Sequence, residues 1–205
     1  MEKLQASFYE RKDVVTIAKE LIGKLLVTNF EDQLTIGRIV ETEAYNGVVD
    51  KASHAYAGRR TKRTEIMFGE AAHAYVYLCY GIHHLFNVVT NSRDIPHAVL
   101  IRAIEPVEGI EIMMERMNKI KADFTVGKGP GNVSKALGIT TAITGQSLLA
   151  EELFIADEKG FVESRPILAT TRVGVAYAAE DALLPYRFYV EGNRYVSSPP
   201  KKVSN

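Results

Sequence analysis

The chain has 205 residues, 46% hydrophobic and 24% charged, with 25 basic and 25 acidic side chains and a formal net charge of zero. That length can bury one core without staples, and zero net charge excludes attraction to a polyanion through a global field, leaving only local patches. A single cysteine, Cys79, excludes an internal disulfide, a Cys-only zinc site and a four-cysteine iron–sulfur cluster.

The opening segment lacks an apolar signal core, and no apolar run reaches membrane-spanning length, so a cytoplasmic protein without a membrane partner is expected. Asp13 reads as the N-cap of a helix whose apolar positions Val14, Ile17, Ala18, Leu21 and Ile22 form one stripe, with Gly23 as its stop. Lys24–Phe30 and Leu34–Glu43 are β-prone and joined by the polar turn Glu31-Asp32-Gln33, a hairpin. Gly47 to Gly69 is long, polar and weakly periodic, the mark of a functional or mobile loop. Strands are expected again at Ala74–Cys79, Leu85–Thr90 and Val99–Ile104, with Gly81 near a turn.

From Val107 to Ile120, Ile110, Met113, Met114 and Met117 recur at helical spacing and read as core. Gly127-Lys128-Gly129-Pro130-Gly131 precedes a short helix, Val133–Leu137, and later strands include Arg187–Val190. The polar stretch Ser197–Asn205 is expected to fray. Strands cluster as neighbouring hairpins, with no repeat or linker. The expected fold is therefore α+β: residues 1–205 as a single domain with a largely antiparallel sheet and peripheral helices.

Glu41 and Glu43 stand two apart near a strand end, so their side chains share a face roughly 7 Å apart. A buried glutamate is costly unless paired, and such sites are often functional. The bland alternative is a solvated strand end paired with an arginine. Paired carboxylates also admit a glycoside hydrolase reading. Tyr75 and Tyr77 alternate onto one face with Cys79, either as packing or as a platform for bases. Tyr80-Gly81 at a hairpin tip suits a wedge inserted into a base stack. Arg59, Arg60, Lys62 and Arg63 form a basic loop, by default a solvated surface but near enough to His54 and Tyr56 to suggest phosphate contact. Lys128 in its glycine-rich turn could also meet phosphate, although GKGPG is not a P-loop. The five histidines show no metal-ligand spacing, so neither metal nor cofactor is expected.

These residues resemble the alkyladenine (3-methyladenine) DNA glycosylase family of the mammalian type, in a bacterial form. Three blocks carry the resemblance: Gly37 to Tyr45; Tyr75 through Tyr80-Gly81 to Asn87; and Leu100 to Pro106, with Pro185 to Val190 as a fourth. It implies a curved sheet with a β-hairpin projecting into DNA. By motif position it makes Glu43 the general base and Tyr45, His54 and Tyr77 the base-stacking set. It makes Tyr80 the intercalating residue and Asn87 the screen against guanine. Arg102 becomes the holder of the catalytic water and the flipped nucleotide's phosphate. The long N-terminal extension of animal members is missing, and Ile82 to Phe86 depart from the animal pattern, a difference expected to fall on the pocket floor.

The implied function is that of a monofunctional DNA glycosylase in base excision repair. It would flip 3-methyladenine or 7-methylguanine out of DNA and hydrolyse the N-glycosidic bond, with hypoxanthine and ethenoadenine left open. The partner is DNA carrying alkylated or deaminated purines, and the enzyme works as a monomer at the bacterial nucleoid. A basic face of Arg59, Arg60, Lys62, Arg63, Arg102 and Lys128 would track the backbone. Two rivals stay open: a glycoside hydrolase using Glu41 and Glu43, and a non-catalytic nucleic-acid-binding module.

Overall fold

A computed structural model describes residues 1–197. In chain order its elements are β1 (Glu2–Lys3), α1 (Ala6–Tyr9), α2 (Val14–Glu20), β2 (Leu25–Phe30), β3 (Gln33–Tyr45), β4 (His73–Cys79) and β5 (His83–Thr90). There follow β6 (His97–Glu108), α3 (Ile110–Arg116), α4 (Pro130–Ala136), β7 (Leu153–Asp157), β8 (Ile167–Thr170) and β9 (Arg187–Val190). Asp13 caps α2 as its sequence position predicts, accepting from the backbone N–H groups of Val15 and Thr16 at 3.0 and 3.1 Å. Such a cap stabilises by about 1 kcal/mol. The apolar stripe of α2 then packs Ile17, Ala18 and Leu21 into the main core.

The strands run β1-β7-β2-β3-β6-β5-β4, and every pairing between them is antiparallel. The β2–β3 hairpin turns at Glu31 and Asp32, both with positive φ (53° and 59°), as its two-residue connection demands. β3 is the axis of the fold. Its first half pairs with β2, whereas Glu41, Thr42 and Glu43 pair with Tyr189, Phe188 and Arg187 of β9. The β8–β9 ribbon thus takes over the edge that β2 leaves, and the sheet curls there. This is the α+β class with a curved antiparallel sheet.

Three expectations change. Residues 47–69 are not a structureless loop: three 3₁₀ turns, Gly47–Val49, Tyr56–Gly58 and Glu65–Phe68, organise them around buried Asp50, Ala52, Ser53 and Ala55. The helix expected from Val107 to Ile120 shortens to α3, because β6 runs on to Glu108 before Gly109 turns the chain at φ 73°. A Cβ at Gly109 would stand 2.3 Å from the Leu34 carbonyl oxygen, so only glycine fits that corner. Ser197, expected to fray, is buried and bonded within the site described next; residues 198–205 lie outside the described residues.

Candidate active site

Simple alternation along β3 would send Ile39, Glu41 and Glu43 to one face. Pairing with β6 breaks that parity: Ile39 faces Ile104 and Thr42 faces Ile101, with Val40 and Arg102 each skipped on its own strand. An extra residue of this kind turns the side chains that follow to the opposite face. Ile39, Val40 and Ala44 therefore all enter the main core, and the Thr42 hydroxyl donates to the Ala18 carbonyl of α2 at 2.8 Å. Glu41, Glu43 and Tyr45 are left on the other face, where Arg102 meets both carboxylates.

Both glutamates are completely buried, yet their surroundings differ. Glu41 accepts from the Nε of Arg102 (3.0 Å) and of Arg187 (2.7 Å), and from the backbone N–H (2.7 Å) and hydroxyl (3.0 Å) of Ser197. Three of these donors crowd Oε1 and one meets Oε2, so the carboxylate is locked in place. Arg102 and Arg187 also donate to the hydroxyl and the carbonyl of Ser197 respectively, which closes the cluster. Glu43 accepts from the Tyr45 hydroxyl (2.8 Å) and the Val173 backbone N–H (2.7 Å), with Nη1 of Arg102 at 3.3 Å. Three donors on a group with about four acceptor sites leave one site open. Burial opposes charge on Arg102, but Glu43 and Glu41 outweigh it and hold its pKa above the ordinary value. Burial, reinforced by Glu43, raises the Tyr45 hydroxyl well above its usual range, so it stays a proton donor to that carboxylate.

Tyr45 separates Glu43 from a cleft of ≈ 330 Å³ lined also by Ala52, His54, Met67, Tyr75, Tyr77, Asn87, Ala98 and Tyr177. Its walls are flat rings. His54 stands edge-on to Tyr77 with centroids 4.6 Å apart, and its Nδ1 lies 2.8 Å from the Tyr75 hydroxyl. Burial first, then the charges of Arg63 and Arg59, depress the His54 imidazole to about 4, so it is neutral at pH 7. Burial pushes the Tyr75 hydroxyl up to about 12. Asn87 is held at the cleft by donation from Nδ2 to the carbonyls of Tyr75 (3.1 Å) and Leu85 (3.2 Å).

A groove of ≈ 600 Å³ adjoins the cleft, sharing His54 and Tyr177 with it and lined further by Lys51, Ser53, Tyr56, Arg59 and Arg63. Beyond the far end of β4, Tyr80 is 92% exposed at the hairpin tip, with φ 53° followed by Gly81 at 74°. A tyrosine held in the left-handed region and left in solvent costs stability and packs little, which points to a role outside the free fold.

A family model of methylpurine-DNA glycosylases matches residues 7–194. The chain belongs to the methylpurine-DNA glycosylase family. Membership makes it an enzyme, a hydrolase of the bond between base and deoxyribose in DNA. Among similar proteins, one from Desulfitobacterium hafniense is 43% identical and aligns over 96% of this chain and 99% of its own length. One from Clostridium acetobutylicum is 46% identical, over 95% of this chain and 97% of its own. One from Chlamydia pneumoniae is 47% identical, over 90% and 93%. Each is provisionally named a 3-methyladenine DNA glycosylase.

Family and geometry together revise several sequence expectations. The paired-carboxylate glycoside hydrolase fails because Glu41 is locked between Arg102, Arg187 and Ser197 and does not line the cleft, and the non-catalytic module fails because the family is enzymatic. Arg102 does not belong to a basic face: it is buried, and its guanidinium is committed to Glu41, Glu43 and Ser197. Arg60 is exposed but neutralised by Glu65 (2.7 Å) and Asp94 (3.0 Å). Lys62 is exposed outside the groove, and half-buried Lys128 bridges to Ala103 with its Nζ 3.4 Å from the Arg194 carbonyl. None of Ile82 to Phe86 lines the cleft, and only Leu85 bears on it, through the carbonyl that holds Asn87. Phe86 points into the main core, while Ile82, His83 and His84 line a different groove.

Sequence reasoning passed over Asp50 and Arg172, a buried ion pair with contacts of 2.5 and 2.9 Å. Arg172 also donates to the carbonyls of Ala44 (2.9 Å) and Asp181 (3.1 Å), and its guanidinium lies 5.0 Å from the centroid of the Tyr45 ring. It thereby fixes the strand end that bears Tyr45 and the turn whose Val173 N–H reaches Glu43. Arg187 and Ser197 were likewise missed as partners of Glu41. Among the described residues no group of three or more histidine, cysteine, aspartate or glutamate side chains is arranged to hold a metal ion. No helix there is long and apolar enough to cross a membrane.

Proposed function

We propose that the protein rotates an alkylated purine nucleotide out of DNA into the aromatic cleft and hydrolyses its N-glycosidic bond, with Glu43 as general base. One observation carries the reading. The Glu43 carboxylate sits a single hydrogen bond behind the wall of a ring-lined cleft and keeps one acceptor site unfilled. A water bound to that site could be deprotonated as it attacks C1′, and the carboxylate charge would stabilise the oxocarbenium character developing on the sugar. Arg102, with Nη1 3.3 Å from the carboxylate, helps hold Glu43 in place.

Recognition follows from charge. A purine methylated at N3 or N7 is cationic, and a cation gains from the faces of Tyr45 and Tyr77 and from neutral His54. The same charge weakens the bond to sugar, so the leaving base needs little protonation. The cleft holds no strong acid: its tyrosine hydroxyls are raised and its histidine is depressed far below 7. 3-Methyladenine and 7-methylguanine are therefore the preferred substrates. Hypoxanthine and ethenoadenine, which leave as neutral bases, should be released more slowly. Among the described residues no lysine lines the cleft, which favours water over an amine as nucleophile. Extrusion costs a few kcal/mol, which Tyr80 would offset by filling the vacated stack. The phosphate contacts fall to Arg59, Arg63 and Lys62 rather than to Arg102.

The test is release of free base from methylated duplex DNA, compared with oligonucleotides carrying hypoxanthine or ethenoadenine. Release of methylated purines without strand cleavage is expected. Failure to release any base from methylated DNA would overturn the reading.

A further inference from the structure

The hairpin that carries Tyr80 has a second face. Tyr75 pairs with Asn87 and Leu78 with His84; the first pair lines the cleft, and alternation turns the second away from it. On that side a groove of ≈ 1090 Å³, counted out to solvent at its mouth, runs between the hairpin and α4. His83, His84, Arg116, Asn132 and Lys135 line it, and no acidic side chain does. Its glycine has a reason: a Cβ at Gly131 would stand 2.9 Å from Nδ1 of His83. His84 accepts the Thr141 backbone N–H on Nδ1 at 3.1 Å, which leaves Nε2 as its donor. Arg116 spends its donors on Gln33, Thr35 and the Ala136 carbonyl, so it contributes charge rather than contacts. Lys135 is exposed, and no carboxylate pairs with it among the described residues. On the groove wall the Ser134 hydroxyl is buried with no partner there.

We infer that this groove takes the sugar–phosphate backbone of the strand opposite the lesion. The inference rests on the glycosylase reading and extends it. A wedge entering a duplex has one strand on either side, and the cleft on the first face of the hairpin receives the damaged one. The second face offers cationic and N–H donors with no carboxylate, the chemistry that a phosphodiester requires. Ile82, 72% exposed beside Tyr80, continues the surface from the tip into the groove. A chain of zero net charge holds a polyanion through such patches or not at all.

The experiment measures affinity of the full chain for a duplex with a stable abasic analogue, and for the same strand alone, across a salt series. Lys135→Gln should lower the duplex log–log salt slope by about 0.9, the loss of one phosphate contact, and leave the single-strand slope unchanged. Lys135→Arg should restore it. Base release from a methylated single strand should stay at the level of the unaltered chain in both variants. An unchanged duplex slope, or equal losses on duplex and single strand, would overturn the groove assignment. An unaltered chain that releases no base, with the duplex slope still reduced by Lys135→Gln, would sink the glycosylase reading and leave the groove standing.

Discussion

Two glutamates two residues apart stand in different surroundings because of the donors each one meets. Glu41 is locked between two arginines and Ser197, whereas Glu43 meets one arginine, a backbone N–H and the hydroxyl of Tyr45, which lines the cleft. On the proposed reading, Glu43→Gln keeps the shape and removes the general base. Single-turnover base release should fall by about 10²–10⁴, the usual contribution of a general base, while affinity for lesion DNA stays near that of the parent. Weak binding combined with normal cleavage would refute the assignment. His54 makes a separate prediction through linkage. Its pKa falls from 6.5 to about 4 on folding, so between those values the unfolded chain binds the extra proton. Stability is complete above pH 6.5 and declines as pH drops through that window, by at most roughly 3 kcal/mol. Denaturant melts of the parent and of His54→Gln between pH 4 and 7 test this, because the variant should lose that part of the slope.

At the scale of elements, what decides the site is the irregularity at Val40 and Arg102. Without it β3 would turn Glu41 and Glu43 into the apolar core. Helix α2, both hairpins, and strands β2 to β6 and β9 were legible because periodicity and turn residues are local signals, whereas β1, β7 and β8 are short and carry little of either. The irregularity was not legible, since neither position carries a glycine or proline and its cause lies in pairing between strands sixty residues apart. Arg172 was hidden for a similar reason: its partner Asp50 is 122 residues away and nothing local marks either as buried. Ser197 sits in a polar stretch that reads as a tail, and only the fold shows it bonded to Glu41. The Glu41 cluster predicts a stability effect of its own. Glu41→Ala removes the carboxylate shared by two buried guanidinium groups, so unfolding free energy should fall by about 3–5 kcal/mol. Equilibrium denaturation measures it, and a loss below about 1 kcal/mol would mean that the cluster relaxes into solvent. The hairpin tip should behave oppositely. Tyr80→Ala removes a side chain that is 92% exposed and relieves no packing. It should leave stability within about 0.5 kcal/mol, as for ordinary surface changes, yet reduce extrusion reported by a fluorescent base analogue.

On the scale of the whole molecule, zero net charge limits how DNA is held. Many surface cations are cancelled within the fold: Arg60 by Glu65 and Asp94, Lys51 by Glu180, and Arg93 by Glu70. Near the cleft and hairpin, among the described residues, Arg59 and Arg63 in one groove, Lys62 outside it and Lys135 in the other groove have no carboxylate partner and remain available to phosphate, while Arg116 turns its donors inward. Each phosphate neutralised contributes about 0.9 to the log–log dependence of duplex affinity on salt. Four contacts therefore predict a slope of about −3 to −4, shallow for a DNA-binding protein. Arg59→Ala with Arg63→Ala should bring it to about −2, whereas Arg60→Ala should change it little, because that charge is already spent. A parent slope near −8, or an Arg60→Ala effect as large as that of Arg63→Ala, would mean that the ion pairs on this face open when DNA binds.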